Sequence, residues 1–329
     1  MSFDLFHLPQ LASMIIINTM NISEQFLTSL CSRRAFSVIK SLRQKSEGIT
    51  MSVIDDYIVL KKETELLFIY QFVAKEDSRR KEIVTVNGHS TLINYDSEEG
   101  RINTFWQEEQ VVGTMELVEY VNNLFGIHVD TLTINNDSGT RFMNWVQRRQ
   151  RPLRIVEVNH FAAEELKNII MACEADSIQL NTPSSPPFEI QNLNKRCEVF
   201  FSRHGTWMNL DNLMTLDCVR ITVLEKLFTC TEMNIFIKHW LNGGSPRLKT
   251  LQVPVADHNW EIVHLLRGLD VRYNVEKLLF LNEYGFALNL FEVVRSDGIT
   301  AGFNCSPHRF WFGVWPRDTD NILHLKFAL

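Results

Sequence analysis

Residues 153–158 read Leu153-Arg154-Ile155-Val156-Glu157-Val158, with apolar side chains at the first, fourth and sixth positions. The same pattern begins at five other places, Val129, Ala175, Cys218, Leu248 and Val275. The residues between these apolar positions are mostly polar, whereas strands buried on both faces read as continuous apolar runs. The pattern therefore predicts strands of a sheet that has one face covered by helices and the other face open.

The spacing of these strands predicts a repeating strand–helix architecture. Their starts are 24, 22, 43, 30 and 27 residues apart, and leucine-rich repeats span roughly 20–29 residues. The longest interval contains the loop 182–187, Thr-Pro-Ser-Ser-Pro-Pro, and we interpret it as an insertion or a degenerate copy of the repeat. The predicted fold class is α/β (α+β overall). Residues 113–329 are expected to form an irregular leucine-rich-repeat-like α/β solenoid with a C-terminal β cap.

Residues 49–112 are predicted to form an antiparallel strand region. Runs 49–61, 65–75, 81–95 and 102–106 are rich in Val, Ile, Thr, Phe and Tyr, and polar turns separate them. Further along the chain, Thr229 and Glu232 have the spacing of a helix capping box. Asp297-Gly298 between apolar runs predicts a hairpin. The aromatic run 310–315 is interpreted as a strand that packs against the end of the solenoid.

Residues 1–46 are predicted to form three short helices. Pro9 suits the first turn of a helix, because its missing N–H would have no partner there. Ser23 and Ser32 are the predicted N-caps of the second and third helices. Three helices of about ten residues each bury too little surface to fold alone. Their apolar residues must therefore cover either the rest of the chain or a partner, and both alternatives stay open.

Composition and charge restrict the classes of partner. The chain has 329 residues and a formal net charge of −6, which gives no general attraction to nucleic acid or to an anionic membrane. Six cysteines include no Cys-x-x-Cys pair and are expected to be reduced. Neither a signal peptide nor a membrane span is expected. An intracellular location, cytoplasmic and/or nuclear, is therefore predicted.

No catalytic, metal or cofactor site is predicted. The phosphate-loop, nucleophile-elbow, zinc-protease and dinucleotide fingerprints do not occur. Cys305 and His308 have the spacing of half a zinc site, and without a second pair they are interpreted as part of a turn. His239 is interpreted as a packed or solvated side chain in a helix. The sequence therefore favours a binding protein rather than an enzyme.

The N-terminal segment resembles an F-box. The resemblance rests on Phe3, Leu5, Leu8, Pro9, Ile15 or Ile16, Leu27, Leu30, the Ser32-Arg33 pair and Phe36. Ile22 stands where many members of that family have proline. The resemblance implies binding of the Skp-type adaptor of cullin-based SCF ubiquitin ligases. The implied adaptor-binding residues are Phe3, Leu5, Leu8, Pro9, Ile15, Leu27, Leu30 and Phe36.

The rest of the chain is similar to the type 2 F-box-associated domain. The segment 236–248, Phe-Ile-Lys-His-Trp-Leu-Asn-Gly-Gly-Ser-Pro-Arg-Leu, has the signature of that domain, and 291–298 is similar to its usual ending. Such domains follow a divergent F-box in a large nematode family. This resemblance implies a nematode F-box protein that receives substrates for an SCF-type ubiquitin ligase.

Two functional hypotheses follow from these patterns. In the first, the chain is a substrate receptor whose partners are a Skp-type adaptor, through it a cullin, and an unknown target protein. Repeat phase alone places the candidate target contacts on the open face: Arg154, Glu157, Gln179, Lys249, Gln252 and Lys277. The alternative is a non-catalytic leucine-rich-repeat-like scaffold whose N-terminal helices only cap the solenoid.

Overall fold

The computed structural model describes residues 9–42, 48–55, 57–73, 82–96, 98–107, 109–150, 152–159, 162–182, 189–256, 262–274, 290–306 and 309–315. The chain divides into two compact units, unit 1 at Met1–Glu157 and unit 2 at Val158–Leu329. Within the described ranges it forms sixteen strands and nine helices. The predicted mixture of α and β structure is therefore confirmed.

Unit 1 begins with three helices, α1 (Gln10–Thr19), α2 (Ile22–Leu30) and α3 (Arg33–Leu42). The backbone N–H of Glu24 donates to the Asn21 side chain at 2.8 Å, and the Asn21 N–H donates to the Glu24 carboxylate at 2.9 Å. Asn21 therefore caps α2, and the predicted cap Ser23 is wrong because the reciprocal pair forms two residues earlier. Ser32 accepts from the Ala35 N–H at 3.0 Å, as expected of a cap for α3.

The sheet of unit 1 contains eight described strands in the order β8-β7-β1-β2-β3-β6-β5-β4. Their bounds are β1 (Ile49–Ile54), β2 (Tyr57–Lys62), β3 (Glu65–Val73), β4 (Glu82–Val86), β5 (His89–Asp96), β6 (Arg101–Trp106), β7 (Val129–Ile134) and β8 (Leu153–Val158). Two helices accompany them, α4 (Gln110–Phe125) and α5 (Asp137–Gln147).

The predicted antiparallel region is only partly antiparallel. Strands β1, β2 and β3 pair antiparallel, but β3 pairs in parallel with β6, and β1 pairs in parallel with β7. The predicted strand 49–61 is divided into β1 and β2, and the predicted strand 81–95 is divided into β4 and β5. The second break lies at Asn87-Gly88, where both residues have positive φ, 48° and 92°. This two-residue turn has the chemistry that tight hairpins favour.

Unit 2 begins with parallel strands that alternate with helices. The elements are α6 (Ala163–Ala172), β9 (Ala175–Leu180), β10 (Arg196–Ser202), α7 (Leu210–Thr215), β11 (Asp217–Val223), α8 (Cys230–Leu241), β12 (Thr250–Pro254) and α9 (Ile262–Leu266). The four strands β9 to β12 pair in parallel in chain order. The predicted capping box of Thr229 and Glu232 opens α8 and is confirmed.

The remaining strands of unit 2 are antiparallel. They are β13 (Arg272–Asn274), β14 (Leu290–Val294), β15 (Thr300–Ser306) and β16 (Arg309–Val314). β16 pairs with β12, and β15, β14 and β13 follow it outward. The hairpin predicted at Asp297-Gly298 joins β14 to β15, and Gly298 has a φ of 83°. That hairpin is therefore confirmed.

The predicted leucine-rich-repeat-like solenoid is wrong. In a solenoid each repeat contacts only its neighbours along the chain, whereas Phe310 of β16 returns across 57 positions to lie opposite Val253 of β12. The apolar pattern reports only that one face of a sheet lies under helices, and a mixed sheet produces the same pattern. The sixth predicted repeat, at Val275, lies outside the described residues.

Candidate functional site

The three N-terminal helices cover part of the core of unit 1. Their inner face includes four completely buried side chains, Ile17, Phe26, Ala35 and Ile39. The Ile22 N–H at the start of α2 donates to the Glu65 carboxylate of β3 at 3.2 Å. The helices thus cover the chain itself, and the question is whether their outer face also serves a partner.

Tyr120 of α4 joins this helix to α2 and α3. Its ring lies 5.8 Å from the Phe26 ring and 5.0 Å from the Phe36 ring. Ser29 donates its hydroxyl to the Phe26 carbonyl at 2.6 Å. Because the Ser29 proton is used there, the Tyr120 hydroxyl is the donor in its 2.8 Å bond to Ser29. Burial raises the pKa of Tyr120 to about 12.

The wild-type chain should lose stability at alkaline pH as Tyr120 ionises, and we expect the Tyr120→Phe variant to be free of this loss. Because the pKa of Tyr120 is higher in the folded chain, the unfolded chain ionises first as the pH rises. The stabilisation of the folded chain by neutral Tyr120 is therefore complete below about pH 10 and is lost as the pH rises through 12. The wild-type chain should lose about 2.7 kcal/mol more than the variant across that interval. At pH 8 the variant should lose about 1 kcal/mol with its hydrogen bond.

Chemical denaturation at pH 8 and at rising alkaline pH measures both effects. Tyr273→Phe is the control, because Tyr273 is 54% exposed. An alkaline slope that is the same in the Tyr120 and Tyr273 variants would contradict the assignment.

The outer face of α1 exposes two large apolar side chains. Leu11 is 63% exposed and Ile15 is 56% exposed. They lie four positions apart and therefore on one side of the helix. Pro9, directly before α1, is exposed as well. We call Pro9, Leu11 and Ile15 the α1 outer face.

The predicted adaptor-binding residues do not share one environment. Pro9 and Ile15 belong to the α1 outer face, Leu27 and Phe36 are half-buried, and Leu30 is only 8% exposed. Phe3, Leu5 and Leu8 lie outside the described residues. Leu11 was not among the predicted site residues, although its spacing from Ile15 was the signal that could have found it.

The open face of the unit 2 sheet carries a continuous row of side chains. Six residues lie opposite one another on β9, β10, β11, β12, β16 and β15, namely Gln179, Phe201, Thr222, Gln252, Trp311 and Asn304. All six are half-buried, and we call them the central row. The predicted target contacts Gln179 and Gln252 both belong to it.

The other predicted target contacts are placed differently. Arg154 of β8 donates two hydrogen bonds to Asp130 of β7, at 2.8 and 2.7 Å. This pair lowers the pKa of Asp130 and raises the pKa of Arg154. Glu157 accepts from the Thr133 hydroxyl at 3.4 Å. Lys249 is exposed just before β12, and Lys277 lies outside the described residues.

Phe201 and Trp311 lie on the open face of the sheet, which was not predicted from the sequence. The sequence predicts a core strand at 310–315, which is right for Phe310 and Phe312, both completely buried. Trp311 points to the opposite side because side chains alternate along a strand. The same alternation separates Phe201 from the buried residues on either side of it.

Two buried cysteines of unit 2 lie side by side. Cys197 and Cys218 lie opposite each other on β10 and β11 with their Sγ atoms 3.1 Å apart. The shared hydrogen bond and burial raise the pKa of Cys197. Among the described residues, no group of three or more His, Cys, Asp and Glu could hold a metal ion.

In the same described part of the chain, no helix has the length and apolar character needed to cross a bilayer.

Comparison with known proteins assigns a class to part of unit 2. Residues 186–253 match the family model described as F-box associated. The match includes β10, β11 and β12 as far as Val253, and with them Phe201, Thr222 and Gln252 of the central row. The predicted F-box-associated domain is therefore confirmed for this segment, while the F-box itself and the nematode origin stay predictions.

One curated relative is similar to this chain over a small part of the relative's own length. The chain is 25% identical over 114 residues to "E3 ubiquitin-protein ligase hecw-1" of Caenorhabditis elegans. That similarity covers 33% of this chain and 9% of the relative, so the chain spans less than a tenth of that protein. No solved structure matches.

Proposed function

We propose that this chain is a substrate-recognition subunit of an SCF-type ubiquitin ligase. The observation that carries the proposal is the F-box-associated match over residues 186–253. Similarity to a ubiquitin ligase supports a place in the same pathway. In this proposal the N-terminal helices bind a Skp-type adaptor, and through it a cullin, while unit 2 binds a target protein.

The chain would contribute proximity rather than chemistry. A receptor holds its target close to the transferring subunits, which raises the effective concentration of the reacting groups. The proposed chain is therefore not an enzyme, and it works inside the cell, in the cytoplasm and/or the nucleus.

The α1 outer face is the proposed adaptor contact. Leu11 and Ile15 are large apolar side chains that remain more than half exposed although the inner face of the helices is packed. Removing exposed apolar groups from water at an interface with a partner is favourable in free energy. Phe3, Leu5 and Leu8 are further proposed adaptor contacts, since they carry the F-box resemblance.

A pull-down with a purified Skp-type adaptor tests this proposal. The wild-type chain should bind, and Ile15→Asp should weaken binding by about a hundredfold or more, because a carboxylate at a desolvated apolar contact costs several kcal/mol. Ile15 is 56% exposed, so the variant should fold normally.

Val263→Asp is the matched control. Val263 is also an exposed apolar residue on a helix, α9 of unit 2, at 68% exposure. It should bind the adaptor as the wild type does. A folded wild-type chain that fails to bind the adaptor, or an Ile15→Asp chain that binds equally well, would overturn the proposal.

A second candidate is a non-catalytic interaction protein whose N-terminal helices only cover its own core. The burial of Phe26 and the bond from Tyr120 to Ser29 favour it, because both hold these helices against the rest of unit 1. The same pull-down separates the candidates. A folded chain without adaptor binding would favour this second function.

A further inference from the structure

Basic side chains flank the central row of unit 2. On one side lies a second row of paired positions, which includes Val199 of β10 and Arg220 of β11. It crosses β12, β16 and β15 and ends at Glu292 of β14 and Arg272 of β13. On the other side lie Arg203, two residues after Phe201, and Arg309, which pairs with Pro254. Side chains two apart on a strand share a face. The Arg203 N–H donates to the Leu180 carbonyl at 2.8 Å, which continues the pairing of β10 with β9 one residue beyond β10. These residues therefore flank the central row on both sides.

The charge on these three rows is positive. Among the residues that the structure describes, they hold four arginines, Arg203, Arg220, Arg272 and Arg309, and one carboxylate, Glu292, which is only 8% exposed. The acidic residues Asp217 and Glu198 are held by other cations, since Arg196 lies 3.5 Å from Asp217 and Arg247 contacts both. This face is therefore locally basic on a chain whose net charge is −6.

Aromatic groups lie among these arginines. Phe201 and Trp311 are half-buried on the same row and three strands apart, about 14 Å at ordinary strand spacing. Trp and Arg are among the residues that most often dominate binding energy at protein interfaces. Gln179, Gln252 and Asn304 add amide groups that can both donate to and accept from a peptide backbone.

We propose that this face binds an acidic segment of a protein target. Carboxylates of the segment meet the arginines, and an apolar side chain between them packs on Phe201 or Trp311. The inference rests on the proposed function in taking the occupant to be a target protein. Nucleic acid is also anionic, but the net negative charge of the chain opposes it, and part of the face lies within the F-box-associated segment.

Binding of the full chain to defined polymers tests the proposal. The probes are immobilised poly(Glu,Tyr), poly(Lys,Tyr) and single-stranded oligouridine. The chain should bind poly(Glu,Tyr) about tenfold or more tightly than the other two, and added salt should weaken that binding. Arg203→Gln/Arg309→Gln should weaken it by about tenfold. Both residues are exposed, so this variant should remain folded.

The control variant is Arg148→Gln/Arg267→Gln. It changes the net charge equally at two exposed positions outside the three rows and should bind like the wild type. Equal losses in both double variants, equal binding of poly(Lys,Tyr), or tighter binding of oligouridine would each overturn the inference. Adaptor binding is measured on the same proteins. Failure with poly(Glu,Tyr) while the adaptor still binds would reject only this inference, and loss of adaptor binding alone would reject only the proposed adaptor function.

Discussion

Replacing Trp240 with alanine should destabilise unit 2 by about 3–5 kcal/mol. The indole of Trp240 is 1% exposed. Its ring lies edge-on to Phe312 with 5.2 Å between centroids, and the Arg295 guanidinium lies 4.9 Å from its centroid. Truncation would open a cavity between α8 and β16 and remove both contacts. Since a whole domain is stable by only about 5–15 kcal/mol, this loss is large.

Urea unfolding of the full chain measures this effect. Ile235→Ala is the control on the same helix, because Ile235 is 44% exposed and should cost less than about 1 kcal/mol. Trp240→Ala should give an early transition that the control lacks. Coincident transitions in the two variants would mean that Trp240 does not hold α8 against β16.

Replacing Phe26 with alanine should destabilise the N-terminal helices by about 3–5 kcal/mol. Phe26 is completely buried, and its ring contacts the edge of Tyr120. Phe26 is the largest completely buried side chain of these three short helices, so without it their amides should exchange with solvent faster across α2 and α3. The strands of unit 1 should keep more of their protection, because β-sheet pairing does not involve Phe26.

Hydrogen exchange read segment by segment measures that prediction. Ile15→Ala is the control, because the exposed Ile15 side chain contributes little to folding and should leave exchange nearly unchanged. Unchanged exchange in α2 and α3 of Phe26→Ala would show that the helices are held by other contacts.

Local features of the fold were predictable because they depend on residues close in sequence. The capping box of Thr229 with Glu232 and the turn at Asp297-Gly298 each need only a few adjacent residues. The apolar pattern also identified the buried positions of β9 and β11 correctly. The break at Asn87-Gly88 was equally local and could have been predicted from its turn chemistry.

Strand pairing was not predictable in the same way. The parallel pairing of β3 with β6 and the antiparallel pairing of β16 with β12 join segments that are distant in sequence. Alternation along a single strand shows which of its side chains are buried, but it does not identify the neighbouring strand or its direction. A mixed sheet was therefore interpreted as a regular repeat.

The candidate surfaces show the same division. Strand phase placed Gln179 and Gln252 on the open face, and the structure puts both in the central row. Their role in target binding stays a prediction. The engagement of Arg154 by Asp130 could not be predicted, because it depends on the register of β8 against β7. Likewise, Arg220, Arg272 and Arg309 belong to three strands that are separated in sequence, β11, β13 and β16.

The return of β16 to β12 has a consequence for how the chain is made. During synthesis β12 leaves the ribosome well before β16, since Val253 and its partner Phe310 are 57 positions apart. At ordinary elongation rates this interval lasts about 3–11 s. Throughout it the outer edge of β12 presents unpaired backbone groups to any other nascent strand. Slow translation between these two strands should therefore increase the demand of this protein for chaperones that shield extended segments.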